Sequence, residues 1–204
     1  MDRDQVDRNK KRAIQRRWTI AFIDESGFSP VPLVGRTWAQ RGKTPVLVHN
    51  QGDREKVSAI SALTSGLKLY FRIKTKEALN SEDVLKFVLL LLRHIRGRIV
   101  IIWDNARQHH AKIVTALTKK FRRLRIEFLP GYSPDFNPDE GVWNHAKRVE
   151  LANFAPHGTE ELVLGAEGSL SRLRRRPKKL AAFFRQSELP LRGMDRLLNQ
   201  PYCL

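Results

Sequence analysis

The chain has 204 residues, 41% of them apolar, which suits one folded domain with a sizeable core and argues against wholesale disorder. Its 38 Lys and Arg against 21 Asp and Glu leave a formal charge of +17, so a polyanion is the expected partner, and nucleic acid is the usual one. The longest apolar run, Phe87 to Leu92, is too short to span a bilayer, no signal peptide opens the chain, and the single Cys203 excludes an internal disulfide framework or a thiolate-rich zinc site.

Residues 1–17 carry many Lys and Arg and little apolar content, and read as a basic N-terminal arm or linker remnant. From Trp18 the sequence WTIAFIDES turns apolar on both faces, as in an interior strand of a sheet covered on both sides. Further strands are expected at Thr37 to Gln40, Thr44 to His49, Lys56 to Leu63 and Leu67 to Ile73, in antiparallel hairpins because no crossover fits between them. Trp38 is expected in the core of such a hairpin. The period then changes. Ser81 to Arg96 keeps apolar residues at 84, 88, 91, 92 and 95, predicting a buried helix with Ser81 as its N-cap. GRIVIIWDN is a second apolar strand, closed by Asp104. HHAKIVTALTKKFRRL then predicts an amphipathic helix, RIEFLP a short strand, and the remainder helices broken at Pro177. This order predicts one α/β catalytic layer over 18–155 with a mixed sheet, followed by a basic helical extension over 156–204.

Three acids stand out. Asp24 is expected to close the first strand and Asp104 the second, which places both at one sheet edge if the strands are parallel neighbours; ligands commonly bind there. Either aspartate alone also fits an ordinary turn. In FNPDEGVW, Asn137 suits an N-cap, Pro138 N1, Asp139 N2 and Glu140 N3, with Trp143 and Lys147 along the same side. Glu140 also fits a capping box, the weaker of the two readings. The functional alternative is that Asp24, Asp104 and Glu140 hold two Mg2+ ions, with Mn2+ able to substitute, around a scissile phosphate. Glu25, Asn105 and His109 are candidates to support such a site from behind. The strongest basic segment, Arg172, Arg174, Arg175, Arg176, Lys178 and Lys179, reads either as a phosphate-gripping face or as an ordinary solvated one.

FIDESGF, IIWDNARQHH and FLPGYSPDFNPDEGVWNHAK, together with RTWAQRGKTP, resemble the signature blocks of the DDE transposases of the mariner superfamily, in its bacterial insertion-sequence branch. The resemblance covers Trp18 to Lys147, and 35 residues separate Asp104 from Glu140, close to the family's spacing. It implies a ribonuclease H-like fold with Asp24, Asp104 and Glu140 as the metal-binding triad. The activity it implies is cleavage of double-stranded DNA at the terminal inverted repeats of an element, then joining of the 3′-hydroxyl to target DNA. Phe136 and Asp139 stand where relatives often carry aliphatic residues. Relatives also commonly carry a helix-turn-helix region ahead of this block, so a missing N-terminal domain or separate upstream polypeptide is an expected partner, as is a second copy in a homodimer. A cytoplasmic, nucleoid-associated location follows from these expectations. A host nuclease of the same fold and a noncatalytic DNA-binding remnant are the alternatives.

Overall fold

The computed structural model describes residues 18–48, 55, 57–103, 112–129 and 134–187, with the backbone alone for 112–115 and 134. Five strands, β1 (Thr19–Phe28), β2 (Val57–Thr64), β3 (Leu69–Thr75), β4 (Ile99–Trp103) and β5 (Leu124–Phe128), form one sheet in the order β3-β2-β1-β4-β5. β1, β2 and β3 pair antiparallel, whereas β1, β4 and β5 pair parallel, so the sheet is mixed as expected. The parallel half needs crossovers, and α1 (Ser81–His94) and α2 (Lys112–Lys120) supply them.

Because β1 and β4 are apolar on both faces, both faces are covered. Ala21, Ile23, Ile101 and Trp103 pack beneath α1 and α2. On the other face, Ile20, Phe22, Val100 and Ile102 meet α3 (Pro138–His145), α4 (Thr159–Arg174) and α5 (Pro177–Gln186). The two C-terminal helices thus share the core of the sheet. Pro177 sits at N1 of α5, where its missing N–H costs nothing and where the previous helix must already have ended.

Two local expectations need correction. The N-cap of α1 is Asn80 rather than Ser81: its side chain accepts from the amides of Glu82 and Asp83, and the Asp83 carboxylate reaches back to the Asn80 amide, closing a capping box. The expected strands at Thr37–Gln40 and Thr44–Val48 do not form; His49 lies outside the described residues. Among the described residues no strand pairs with that segment, and Trp38 is fully exposed instead of buried. The segment is tied down nearer its start, where Asn153 bonds both the amide (2.8 Å) and the carbonyl (3.1 Å) of Gly35. Among the described residues no helix is long and apolar enough to cross a membrane.

Candidate active site

On β1 the two-residue period places Ile20, Phe22, Asp24, Ser26 and Phe28 on one face, the face covered by α3 to α5. The parallel pairing with β4 ends at Ile23 opposite Trp103, one residue short of Asp24. Asp24 was expected to end the strand, yet β1 runs on to Phe28, because β2 continues to supply its ladder bonds as far as Val57. Asp24 therefore stands one residue beyond the last described β1–β4 pair, at the carboxyl end of β4. It is 8% exposed, and its Oδ1 accepts the Glu25 amide at 2.9 Å. Glu25 itself, one residue on, belongs to the opposite face.

Glu140 arrives from α3. Asn137 caps this helix as expected: its Oδ1 accepts the Asp139 amide at 3.1 Å, and its carbonyl accepts the Glu140 amide at 3.1 Å. Pro138 holds N1, and Val142 and Trp143 anchor the helix in the core. Gly141 lets α3 approach α5 closely, since a Cβ there would lie 2.7 Å from Cδ1 of Phe183. Glu140 remains exposed on the rim of an open cavity of about 640 Å3, shared with Ser26, Asn144, Lys147 and Arg148.

Lys147 lines the same cavity as Glu140. Its Nζ donates to Ser26 Oγ at 2.5 Å and lies 5.6 Å from the centre of the Phe28 ring. Burial pulls its pKa down, while the negative charges of Glu140 and then Asp24 push it back up, so the fields of both carboxylates reach this ammonium group.

A further carboxyl lies behind this pair. Asp139 is completely buried, and its Oδ2 accepts the hydroxyl of Ser61 at 2.7 Å. Ser61 is also completely buried and is the cross-strand partner of Asp24. Burial pushes the Asp139 carboxyl well above the ordinary carboxylate range, with the Asp24 charge adding to it; the Ser61 hydroxyl, and more weakly the Asp24 backbone amide, pull the other way. Sequence reasoning singled out Asp139 as a departure without foreseeing its burial, and missed Ser61. One signal was available: in VSAISALT, alternation puts Ser61 between Ala59 and Leu63 on a buried face, where a hydroxyl needs a partner.

The remaining candidates divide. Asp104, Asn105 and His109 lie outside the described residues. Among the described residues no group of three His, Cys, Asp or Glu is arranged to hold a metal ion, Asp24, Asp139 and Glu140 included. In the basic segment all six side chains are exposed, but not all are idle. Arg172 Nε and Arg176 reach the Glu150 carboxylate at 2.6 and 3.3 Å, and Arg174 lies 5.5 Å from the centre of the Phe71 ring. Among the described residues no carboxylate is within ion-pair reach of Arg175, Lys178 or Lys179.

Residues 19–162 match a family described as DDE superfamily endonuclease. Among solved structures, the chain superposes on the mariner Mos1 paired end complex with Mg at a TM-score of 0.61 and 16% identity, over 96% of this chain and 59% of that one. The Mos1 strand transfer complex gives 0.56 and 16%, over 90% and 62%. The catalytic domain of Mos1 mariner transposase gives 0.52 and 15%, over 90% and 96%. The chain thus spans less than two thirds of the transposase in those complexes and nearly the whole of the catalytic domain. No curated protein matches it in sequence.

Proposed function

From the premise that this chain belongs to the DDE superfamily endonuclease family and has its ribonuclease H-like fold, we propose that it is the catalytic part of a transposase. It cleaves DNA at the ends of a mobile element and joins the 3′-hydroxyl to target DNA. One observation carries the reading: the face of β1 that carries Asp24, through Ser26, and α3, through Glu140, line one open cavity, where Lys147 bonds Ser26 and feels the charge of both acids.

The donor set fits a hard divalent cation. Two carboxylates from separate elements share one neighbourhood, and a lysine partly balances their charge. The third carboxylate of the reading is Asp104, the residue after the last β1–β4 register pair. Mg2+, or Mn2+ in its place, would supply Lewis acidity at the scissile phosphate and a lowered pKa at the attacking hydroxyl, two ions being the usual number for this chemistry. The chain's own residues do the placing. β1 holds Asp24 in a buried, amide-bonded position, and the Asn137 cap starts α3 so that Glu140 meets the open cavity. Lys147, bonded to Ser26 in the lining of that cavity, is placed to meet a phosphate oxygen entering it. Arg175, Lys178 and Lys179 offer free positive charge to the DNA backbone, with Arg172, Arg174 and Arg176 contributing what their intramolecular contacts leave. A second copy and an upstream DNA-reading segment complete the proposed assembly.

The test is incubation of the purified chain with duplexes bearing the element's flanking ends, with Mg2+, with Mn2+ and with neither, scoring nicks and joined products. Wild type is expected to give both products only with metal. Asp24→Asn, Asp104→Asn and Glu140→Gln are expected to lose them while binding DNA as before. Undiminished cleavage by Asp104→Asn would remove that residue from the site. Cutting without joining would favour a host nuclease, and binding without cutting a noncatalytic remnant.

A further inference from the structure

We infer that Asp139 is a positioning residue, which through Ser61 fixes the first turn of α3 against β1 and so sets where Glu140 stands relative to Asp24. The inference rests on the metal-dependent reading above and concerns how the two acids are held in register. It starts from a conflict. Asp139 is completely buried, and the charges acting on it are those of Asp24 and Glu140, both of its own sign. Such a placement disfavours folding unless something else requires it.

The surroundings show what the side chain does there. Ser61 stands directly opposite Asp24 in the antiparallel β1–β2 pair, and residues so placed share a face with their Cβ atoms about 5 Å apart. The 2.7 Å bond from Ser61 Oγ to Asp139 Oδ2 therefore ties the start of α3 to the strand position beside Asp24. The Asp24 backbone amide faces the same carboxyl. From the other side, Asn137 Oδ1 holds the Asp139 amide, so side chain and backbone of this one residue are both fixed.

Helical geometry turns that fixation into a position for Glu140. Successive residues on an α-helix are rotated by about 100°, so with Asp139 locked inward, Glu140 is carried to the cavity rim and cannot swing about the helix axis. An aliphatic residue at 139 would fill the space without specifying that rotation, and it would leave the buried Ser61 hydroxyl without its acceptor. A hydrogen bond is directional, which is what the placement of a metal-facing carboxylate asks for.

Mn2+ binding to the full chain, followed by the electron paramagnetic resonance signal of the free ion, tests this with Ser61→Ala, Asp139→Leu and Asp139→Asn. Metal-free DNA binding and thermal melting serve as controls on the fold. Ser61→Ala and Asp139→Leu are expected to weaken Mn2+ binding by about tenfold while metal-free DNA affinity stays unchanged. Asp139→Asn keeps an oxygen for the Ser61 hydroxyl and is expected to bind Mn2+ as wild type does. Equal loss in Asp139→Asn and Asp139→Leu would show that charge rather than the bond matters, and would overturn the positioning role. Full Mn2+ affinity in Ser61→Ala would overturn it as well. If wild type takes up no Mn2+, the metal-dependent reading falls and takes this inference with it; wild-type binding with undiminished variants removes this inference alone.

Discussion

Asp139 and Glu150 sit near the two ends of one helical run, α3 continued by a π-helical turn over Ala146–Glu150, and both bury their carboxyl groups. Their surroundings are opposite. The Glu150 side chain, 8% exposed, faces Arg172 at 2.6 Å, Arg176 at 3.3 Å and His145 Nε2 at 3.5 Å. The Asp139 carboxyl has one hydroxyl and one backbone amide for company, and the charges acting on it are those of two acids. Glu150 is where a folding domain would choose to bury an acid, since its charge staples the π turn to the junction of α4 and α5. Asp139 is where the fold tolerates an acid, and the position it holds is beside Asp24. A satisfied ion cluster reports on stability, whereas a poorly compensated one reports on a site.

The contrast is broken most directly at Glu150. Glu150→Ala should destabilise the chain by about 3 kcal/mol, less than a fully enclosed pair would lose, because the two guanidinium groups are about half exposed and water replaces part of the interaction. Urea unfolding measures it. Mn2+ affinity should not change, and a drop there would mean that the far end of the run also tunes the site.

Next in size is the packing that holds α3 down between those ends. Gly141→Ala would bring a methyl group to 2.7 Å from the Phe183 ring, and Phe183 is itself buried, so the ring or the helix must move. The expected cost is about 2 kcal/mol of stability. Because Glu140 is the neighbouring residue, cleavage should fall further than stability alone explains. Adding Phe183→Leu should restore part of both, and its failure to do so would show that the close approach is not what positions α3.

Asp139→Asn sharpens the comparison through pH. The Asp139 carboxyl is raised above its unfolded value, so between the two pKa values the folded state keeps a proton that the unfolded chain has released. Stability from this group is complete below the ordinary carboxylate range, near pH 4, and is lost as pH rises through the folded value. Asparagine has no proton to lose. Without metal, Asp139→Asn should therefore be more stable than wild type at pH 7 to 8, with the gap closing toward pH 4, as read from urea midpoints. A constant gap across pH would mean that burial does not raise this carboxyl, and the contrast with Glu150 would lose its basis.

Much of this was legible before any coordinates. The apolar runs of β1, β4 and α1, the Asn137 cap and the Pro177 break are local signals, and each lies where it was read, give or take a cap residue. Residues 37–48 misled because β-propensity reports how a segment would suit a sheet, not whether an edge is free to take it. Asp24 was legible as a candidate, but its reason was misread: the strand survives the acid because β2 carries on beside it. The bond between Ser61 and Asp139 stayed hidden because it joins residues 78 apart in sequence, and no spacing rule links a strand hydroxyl to the second residue of a distant helix.

The smallest expected effects lie in the basic segment, which the Glu150 cluster divides in two. Arg172 and Arg176 are held by Glu150, whereas Arg175 and Lys178 stand exposed with no carboxylate in reach among the described residues. If Arg175 and Lys178 grip DNA phosphates, replacing either by alanine should lower the slope of log affinity against log salt by about 0.9, equally for unrelated sequences, and leave the melting temperature alone. Arg172→Ala should do the reverse, lowering the melting temperature because Glu150 loses its nearest cation, with a smaller change in slope. Fluorescence anisotropy across a salt series, paired with thermal melts, separates the two. Equal slopes for Arg172→Ala and Lys178→Ala would mean that DNA competes with Glu150 for the guanidinium, so that the stabilising cluster opens on binding and the division between a structural and a functional acid is not fixed.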